Sequence, residues 1–320
     1  MRAGCHGNRA GRKRSDGSVE GPPSRWRREV DSRRDTSPTM STLFRPDLLR
    51  GAVALVTGGG TGIGAAIARE LGGLGADVVI ASRKASNIDP AAAGLSAELG
   101  RPVTGLTVDI RDRASVDALV AATLERHGRI DILVNNGGGQ FLAPAETISP
   151  KGFDTVVSTN LGGTWNLTRS VADAWMLAHG GRVINITMLT TRGFGGMAHS
   201  VAARAGVEGM TRTLAVEWAP RNILVNCVAP GYIASSGLRR YPDGEAMARG
   251  IQSAVPLKRL GTSEEVAWMV AFLAGPGGAY ITGQTLSVCG GRSLWGDHWP
   301  ISDPEPLPEV HIPVEPWEVE

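Results

Sequence analysis

Three groups of residues in this chain have the types and spacing to do chemistry. The first is the glycine run TGGGTGIG, where Gly58, Gly62 and Gly64 stand between a short apolar stretch, VALVT, and an Ala-rich stretch of helical periodicity. Missing side chains let a backbone approach a pyrophosphate, and a helix that starts there offers free N–H groups and a partial positive charge. Glycine alone marks many turns; the strand before it and the helix after it give the dinucleotide reading its context. The second group, Ser82, Arg83 and Lys84, closes the next apolar run, VVIASRK. No acid stands there to take both ribose hydroxyls, and an Arg fork matches a phosphate, so NADP is favoured over NAD. The third is Asp109, in DIRDRASV, which either contacts the adenine edge or caps a helix.

These residues need a frame, and the middle of the chain supplies one. From Leu48 to Gly291 short β-branched runs alternate with Ala-rich helical stretches, the pattern of βαβ units under one parallel sheet. Strands are expected over Val53–Thr57, Asp77–Ser82, Thr104–Asp109, Ile130–Asn135, Arg182–Thr187, Ile223–Ala229 and Gln284–Val288. Their near-continuous apolar character suits strands covered on both faces. The expected fold is α/β, a single Rossmann-type doubly wound domain with a seven-stranded parallel sheet over residues 40–296. Residues 1–39 carry ten Arg/Lys against five Asp/Glu and almost no apolar residues, a composition expected to be disordered. Met40 opens a more ordinary beginning, so an upstream-extended start or a disordered arm is expected, with a nucleic-acid arm the weaker alternative. Residues 297–320 are acidic and Pro-rich and read as an extended tail.

Composition narrows the class further. With 42% hydrophobic residues, 20% charged and a formal net charge of +2, the chain is neither collagen-like nor a disulfide miniprotein. Cys5, Cys227 and Cys289 show neither pairing nor metal-ligand spacing, so a reducing cytoplasm is expected, with no metal. No apolar run is long enough for a membrane span. Neither a membrane nor a nucleic-acid partner is expected.

Four motifs in this order resemble the short-chain dehydrogenase/reductase family: TGxxxGxG at 57–64, NNGGG at 135–139 where the family has NNAG, TNLGGTWNLT around Asn160, and PGYI at 230–233. The stretches NNGGGQFLAPAE, AHSVAARAGV, LAVEWA, NCVAPG and GGRSL are similar to its peroxisomal trans-2-enoyl-CoA and 2,4-dienoyl-CoA reductase branch. The resemblance implies an NADPH-dependent reduction of the conjugated double bond of a 2-enoyl-CoA-type substrate. Carried over residue by residue, it implies a cofactor site of Thr57, Gly58, Gly60, Thr61, Gly62, Ile63 and Gly64 in the first motif. To these it adds Ser82, Arg83 and Lys84, Asp109 and Ile110, Asn136, Gly137 and Gly138, Arg204, and Pro230, Gly231 and Ile233.

The wider family also carries a Ser and a YxxxK pair, and here the sequence departs from it. The matching helix reads SVAAR, with Ser200 in the Tyr place and Arg204 in the Lys place; Tyr232, Tyr241 and Tyr280 all lie beyond it. Where the family Ser is expected stand Thr187 and Met188, with Thr190 and Thr191 nearby. Carbonyl reduction makes an alkoxide that needs a proton as the hydride arrives, which is the task of the Tyr. Serine is too weak an acid for that. Arginine relays no proton, but it can hold the nicotinamide ribose and keep the local potential positive. Hydride addition to a conjugated thioester asks less: charge moves to the thioester oxygen, donors stabilise the enolate, and water can protonate the α carbon. The missing Tyr therefore favours enoyl reduction.

The candidates for catalysis are Asn160, which matches the family Asn that orders water, and Thr187, Ser200 and Arg204. The hydroxyls of Thr187 and Ser200 could instead bond the preceding helical turn. His199, beside them, is a proton donor or a structural partner. Two other functions stay open: an alcohol or carbonyl dehydrogenase acting on a small lipid or terpenoid, and a catalytically silent NADP-binding scaffold. Tyr232 to Leu260 falls where the family has its substrate lid, and Arg239 and Arg240 there could meet the phosphates of coenzyme A or stay solvated. Helices expected over Ser149 to His179 and Val201 to Ala219 are apolar on more than one face. With the tetramers of related reductases, they point to a homotetramer.

Overall fold

VALVT is buried at every position and DVVIAS at its four central ones, as suits strands covered on both faces. The computed structural model describes residues 44–234, 250 and 252–294. In it, β1 (Val53–Thr57), β2 (Asp77–Ser82), β3 (Val103–Thr107), β4 (Ile132–Asn135), β5 (Gly181–Ile186), β6 (Ile223–Pro230) and β7 (Thr285–Val288) form one sheet in the order β3-β2-β1-β4-β5-β6-β7. Every pairing is parallel. The order reverses between β1 and β4, where a doubly wound sheet opens its binding crevice.

The strand ends differ from the sequence expectation where side chains take over the backbone. The Asp131 carboxylate accepts the Val53 N–H at 2.8 Å and pairs with Arg129, so β4 begins at Ile132 and not at Ile130. β3 stops at Thr107 and Asp109 leaves the sheet, its N–H donating to Ser115 Oγ at 3.0 Å. β5 stops at Ile186, which puts Thr187 just past its end.

Helices α1 (Gly62–Gly73), α2 (Ala85–Leu99) and a last helix pack on one face. On the other lie α3 (Arg113–His127), α5 (Gly163–Val171) and α6 (Ala198–Trp218). That last helix, α7 (Ser263–Ala274), is held by a capping box between Thr262 and Glu265. Fully buried side chains such as Ile67, Leu71 and Ile80 on one face and Leu133 and Leu167 on the other contribute about 1.5–3 kcal/mol each.

The long helix expected over 149–179 is interrupted. It runs as α4 (Pro150–Val157), a π turn at Ser158–Gly162, α5, a second π turn at Ala172–Met176 and a closing turn, Leu177–His179. Helix α6 begins at Ala198, earlier than the expected Val201.

A buried polar seam ties α5 and α6 to the sheet beneath the site. Asn135, Asn185 and Cys227 share one register across β4, β5 and β6. Asn135 Nδ2 donates to Asn185 Oδ1 at 2.8 Å and to Thr168 Oγ1 at 2.9 Å, and Asn185 Nδ2 donates to Thr211 Oγ1 at 2.8 Å. Each such bond adds about 0.5–1.5 kcal/mol net, and breaking one would leave a buried polar group unpaired at greater cost. The basic N-terminal stretch, the acidic tail, and Arg239, Arg240 and Tyr241 lie outside the described residues.

Candidate active site

The glycine turn sits at the C-terminal end of β1, beside β4. Gly58 and Gly62 adopt φ of +65° and +53°, which favours glycine. A Cβ on Gly58 would lie 2.8 Å from Asn136 Nδ2, and one on Gly64 would overlap the Gly58 carbonyl oxygen. The turn is therefore closed against the β4 side of the crevice. Thr57 Oγ1 accepts the N–H groups of Asn136 at 3.2 Å and Gly137 at 3.0 Å, while Asn136 Nδ2 donates to the Thr57 carbonyl at 3.0 Å. Thr57 and Asn136 thus grip each other and frame the crevice. Thr61, the N-cap of α1, makes no side-chain cap bond, so its helix N-terminus keeps N–H groups for an anion. Ser82 Oγ at the end of β2 is buried with no partner among the described residues. A bare glycine turn, an uncapped helix and an orphaned hydroxyl fit a dinucleotide.

At the adenosine end Arg83 and Lys84 are exposed after β2. Asp109 forms a bidentate pair with Arg111, with Oδ1 2.9 Å from Nε and Oδ2 2.6 Å from Nη2. That hydrogen bonding, with the nearby charge of Arg83, lowers its pKa to about 2. Asp109 does not cap the next helix: Asp112 does, accepting the Ala114 N–H at 3.0 Å. Ile110 is buried and packs against Gly163, where a side chain would have no room, and reaches Gly137.

The reacting end is built from α6, the segment after β4 and the end of β5. Arg204 is only 7% exposed, and its Nη1 donates to the Ile186 carbonyl at 2.7 Å. Burial lowers its pKa to about 10, which leaves it cationic at neutral pH. Gly138 lies against it, with no room for a Cβ between Arg204 Nη2 and Asn160 Oδ1. Asn160, fully buried in the first π turn, places both amide atoms on one residue: Oδ1 accepts the Gly139 N–H and Nδ2 donates to the Gly139 carbonyl, each at 3.0 Å. The π turn aims this side chain at the segment after β4, the kind of placement for which such bulges are used. Asn160 therefore holds in place the backbone that carries Gln140.

Ser200 Oγ donates to Gln140 Oε1 at 3.2 Å and lies 3.6 Å from Met188 Sδ. Ser200, Gln140 and Met188 are thus brought together, while Thr187 points elsewhere, its hydroxyl 3.4 Å from the Val228 carbonyl. Gln140 was not among the residues singled out from sequence, although it ends the run NNGGGQ. His199 is fully buried, edge-on to Phe141 with ring centroids 4.3 Å apart. Its Nδ1 accepts the Ser200 N–H at 2.9 Å, which places the ring proton on Nε2 and gives the first turn of α6 the cap that Met197 does not supply.

At the end of β6, Gly231 N–H donates to the Val288 carbonyl at 2.8 Å, and Ile233 bridges to Gly261. Tyr232 stands 6.0 Å from Phe194, ring to ring, and lines a cavity of about 430 Å³ with Cys289, Trp268 and Phe272. Tyr280 is fully exposed. Among the described residues no cluster of His, Cys, Asp and Glu could hold a metal ion, and no helix is long and apolar enough to cross a membrane.

Known proteins share this arrangement of elements. A family model described as enoyl-(acyl carrier protein) reductase matches residues 58–293. The chain is 42% identical over 256 residues to a Danio rerio protein named peroxisomal 2,4-dienoyl-CoA reductase, covering 79% of this chain and 85% of that one. Among solved structures it resembles a citronellol catabolism dehydrogenase from Pseudomonas aeruginosa PAO1, with 42% identity, a TM-score of 0.71, and coverage of 78% of this chain and 98% of that one. It also resembles an actinorhodin polyketide ketoreductase variant with NADPH, with 36% identity, a TM-score of 0.72, and coverage of 76% and 98%. With the glycine turn at the switch point of a seven-stranded parallel sheet and a family match over most of its length, the chain belongs to the short-chain dehydrogenase/reductase family, in its enoyl-(acyl carrier protein) reductase group.

Proposed function

We propose that this protein is an NADPH-dependent oxidoreductase that reduces the conjugated double bond of a 2-enoyl-CoA-type thioester. The observation that carries the reading is the grouping of Ser200, Gln140 and Met188: a hydroxyl, an amide and a thioether where carbonyl reduction would need a phenol. NADPH, when bound, supplies the hydride. The charge displaced onto the thioester oxygen then needs a donor. Ser200 occupies Gln140 Oε1 and so fixes the amide, leaving the Nε2 hydrogens for that oxygen. Asn160 keeps the Gln140 segment in register through Gly139. Arg204 adds a buried positive charge and is the residue best placed to hold the cofactor ribose. The α carbon takes its proton from water.

The name of the Danio rerio relative supports the substrate class, and the ketoreductase solved with NADPH supports the cofactor. Arg83 and Lys84 at the end of β2 suit a 2′-phosphate. Part of the same reading is a homotetramer, supported by Phe153, Trp165 and Val216, which leave apolar surface exposed on α4, α5 and α6. A cytoplasmic setting also belongs to it, consistent with the free thiols of Cys227 and Cys289. The test is loss of reduced-nicotinamide absorbance with a chain-length panel of trans-2-enoyl- and 2,4-dienoyl-CoAs, run beside a ketone and alcohol panel. Turnover confined to the thioesters is expected; turnover confined to ketones or alcohols would overturn the reading.

A further inference from the structure

Glu208 lies on α6 one turn beyond Arg204 and two beyond Ser200, on the side that faces the β5–α6 loop. The Thr190 hydroxyl is 2.9 Å from both of its carboxylate oxygens. Among the described residues Glu208 makes no ion pair, although Arg212 is one turn further along the helix. Placing this carboxylate partly out of water is costly, and the Thr190 hydroxyl and the charge of Arg212 offset that cost. The loop runs from Thr187 to Met197 and contains Gly193, Gly195 and Gly196. Its ends are tied by backbone bonds, Thr187 N–H to the Val228 carbonyl at 2.9 Å and Ala143 N–H to the Gly196 carbonyl at 3.0 Å. The Thr190–Glu208 contact holds its middle, and the loop carries the two side chains that wall the site, Met188 against Ser200 and Phe194 against Tyr232.

We propose that Glu208 is a positioning residue that latches the substrate loop onto α6 and thereby sets how tightly the acyl chain is enclosed. The idea rests on the reductase reading for its kinetic consequence but not for its structural one. Releasing the latch frees Met188 and Phe194, loosening the acyl pocket while Arg204 and the glycine turn keep the cofactor.

The experiment compares the full-length protein with Glu208→Ala, Glu208→Gln, Thr190→Val and the Glu208→Ala/Thr190→Val double variant. Limited trypsinolysis at Arg192, exposed in the loop, reads the latch without any substrate. Glu208→Ala and Thr190→Val are each expected to be cut about three- to ten-fold faster there, as loss of one hydrogen bond allows, with cleavage at other arginines unchanged. The double variant should be cut no faster than either single one, and Glu208→Gln, which keeps an acceptor, should match wild type. In turnover, KM for the thioester should rise by a similar factor with a smaller change in kcat and an unchanged NADPH Kd. Wild-type cleavage at Arg192 in both Glu208→Ala and Thr190→Val would overturn the latch. If the wild type reduces no enoyl-CoA, the functional reading fails, while the cleavage comparison still decides the latch.

Discussion

The Met188 sulfur lies 3.6 Å from the Ser200 hydroxyl, at positions where the resemblance to the wider family implies a hydroxyl and a phenol. A thioether gives up no proton and an alcohol gives one up only at very high pH. Met188 and Ser200 therefore cannot protonate an alkoxide in step with hydride arrival, yet Ser200 with Gln140 can hold an oxygen whose charge is spread over an enolate.

On the proposed reading Gln140 is the donor to the thioester oxygen. Gln140→Ala is expected to lower kcat about 100-fold with the NADPH Kd unchanged, the low end of the range for loss of one oxyanion donor. Ser200→Ala, which only frees the amide to rotate, should cost about three- to ten-fold. Steady-state kinetics with a fluorescence titration of NADPH separates the two effects.

On the proposed reading Arg204 acts on cofactor and reaction together. Arg204→Ala should weaken NADPH binding and lower kcat, each by about ten-fold or more, because a buried cation and its bond to the Ile186 carbonyl are both lost. An unchanged Kd would confine Arg204 to packing.

Gly138→Ala tests the closeness of that packing. Its methyl group would press between Arg204 Nη2 and Asn160 Oδ1 and displace the segment bearing Gln140. A loss of about 1–3 kcal/mol in urea denaturation is expected, with lower kcat, as for overpacking elsewhere in a core. Gly139→Ala, where nothing lies within 4 Å of the added Cβ, should be far milder.

Glu208 links the loop to pH. Burial raises its pKa above the ordinary 4.5, against the hydroxyls of Thr190 and Thr187 and the charge of Arg212, which lower it. Between 4.5 and that raised value the folded protein binds more protons than the unfolded chain, so this group removes stability as pH climbs through the window. Glu208→Gln lacks the effect. Its Tm relative to wild type should therefore be lowest near about pH 4 and increase toward about pH 7; a pH-independent difference would contradict the shift.

Much of this architecture is legible in the residues themselves. VALVT and DVVIAS are apolar runs bounded by turn residues, and β1 and β2 have the expected bounds. The π turns are not legible, because TNLGGTWNLT keeps helical character on either side of Asn160 and the widened turn exists only in its hydrogen bonds. DIRDR offers two aspartates as caps; only the structure shows that Asp112 takes the helix while Arg111 takes Asp109. Gln140 meets Ser200 across 60 residues of chain, a pairing no local pattern encodes. Thr187 and Met188 both lie just past the end of β5, and the path of the loop there decides which of them faces Ser200.

The most direct measurement offers the enzyme, with NADPH in D₂O, an equal mixture of a trans-2-enoyl-CoA and a 3-ketoacyl-CoA, with products read by mass spectrometry. The expected result is a saturated acyl-CoA carrying one deuterium at the α carbon, with the ketone untouched. Reduction of the ketone with the alkene intact would show that an acid able to protonate an alkoxide acts there, and would contradict the role given to the Ser200, Gln140 and Met188 grouping.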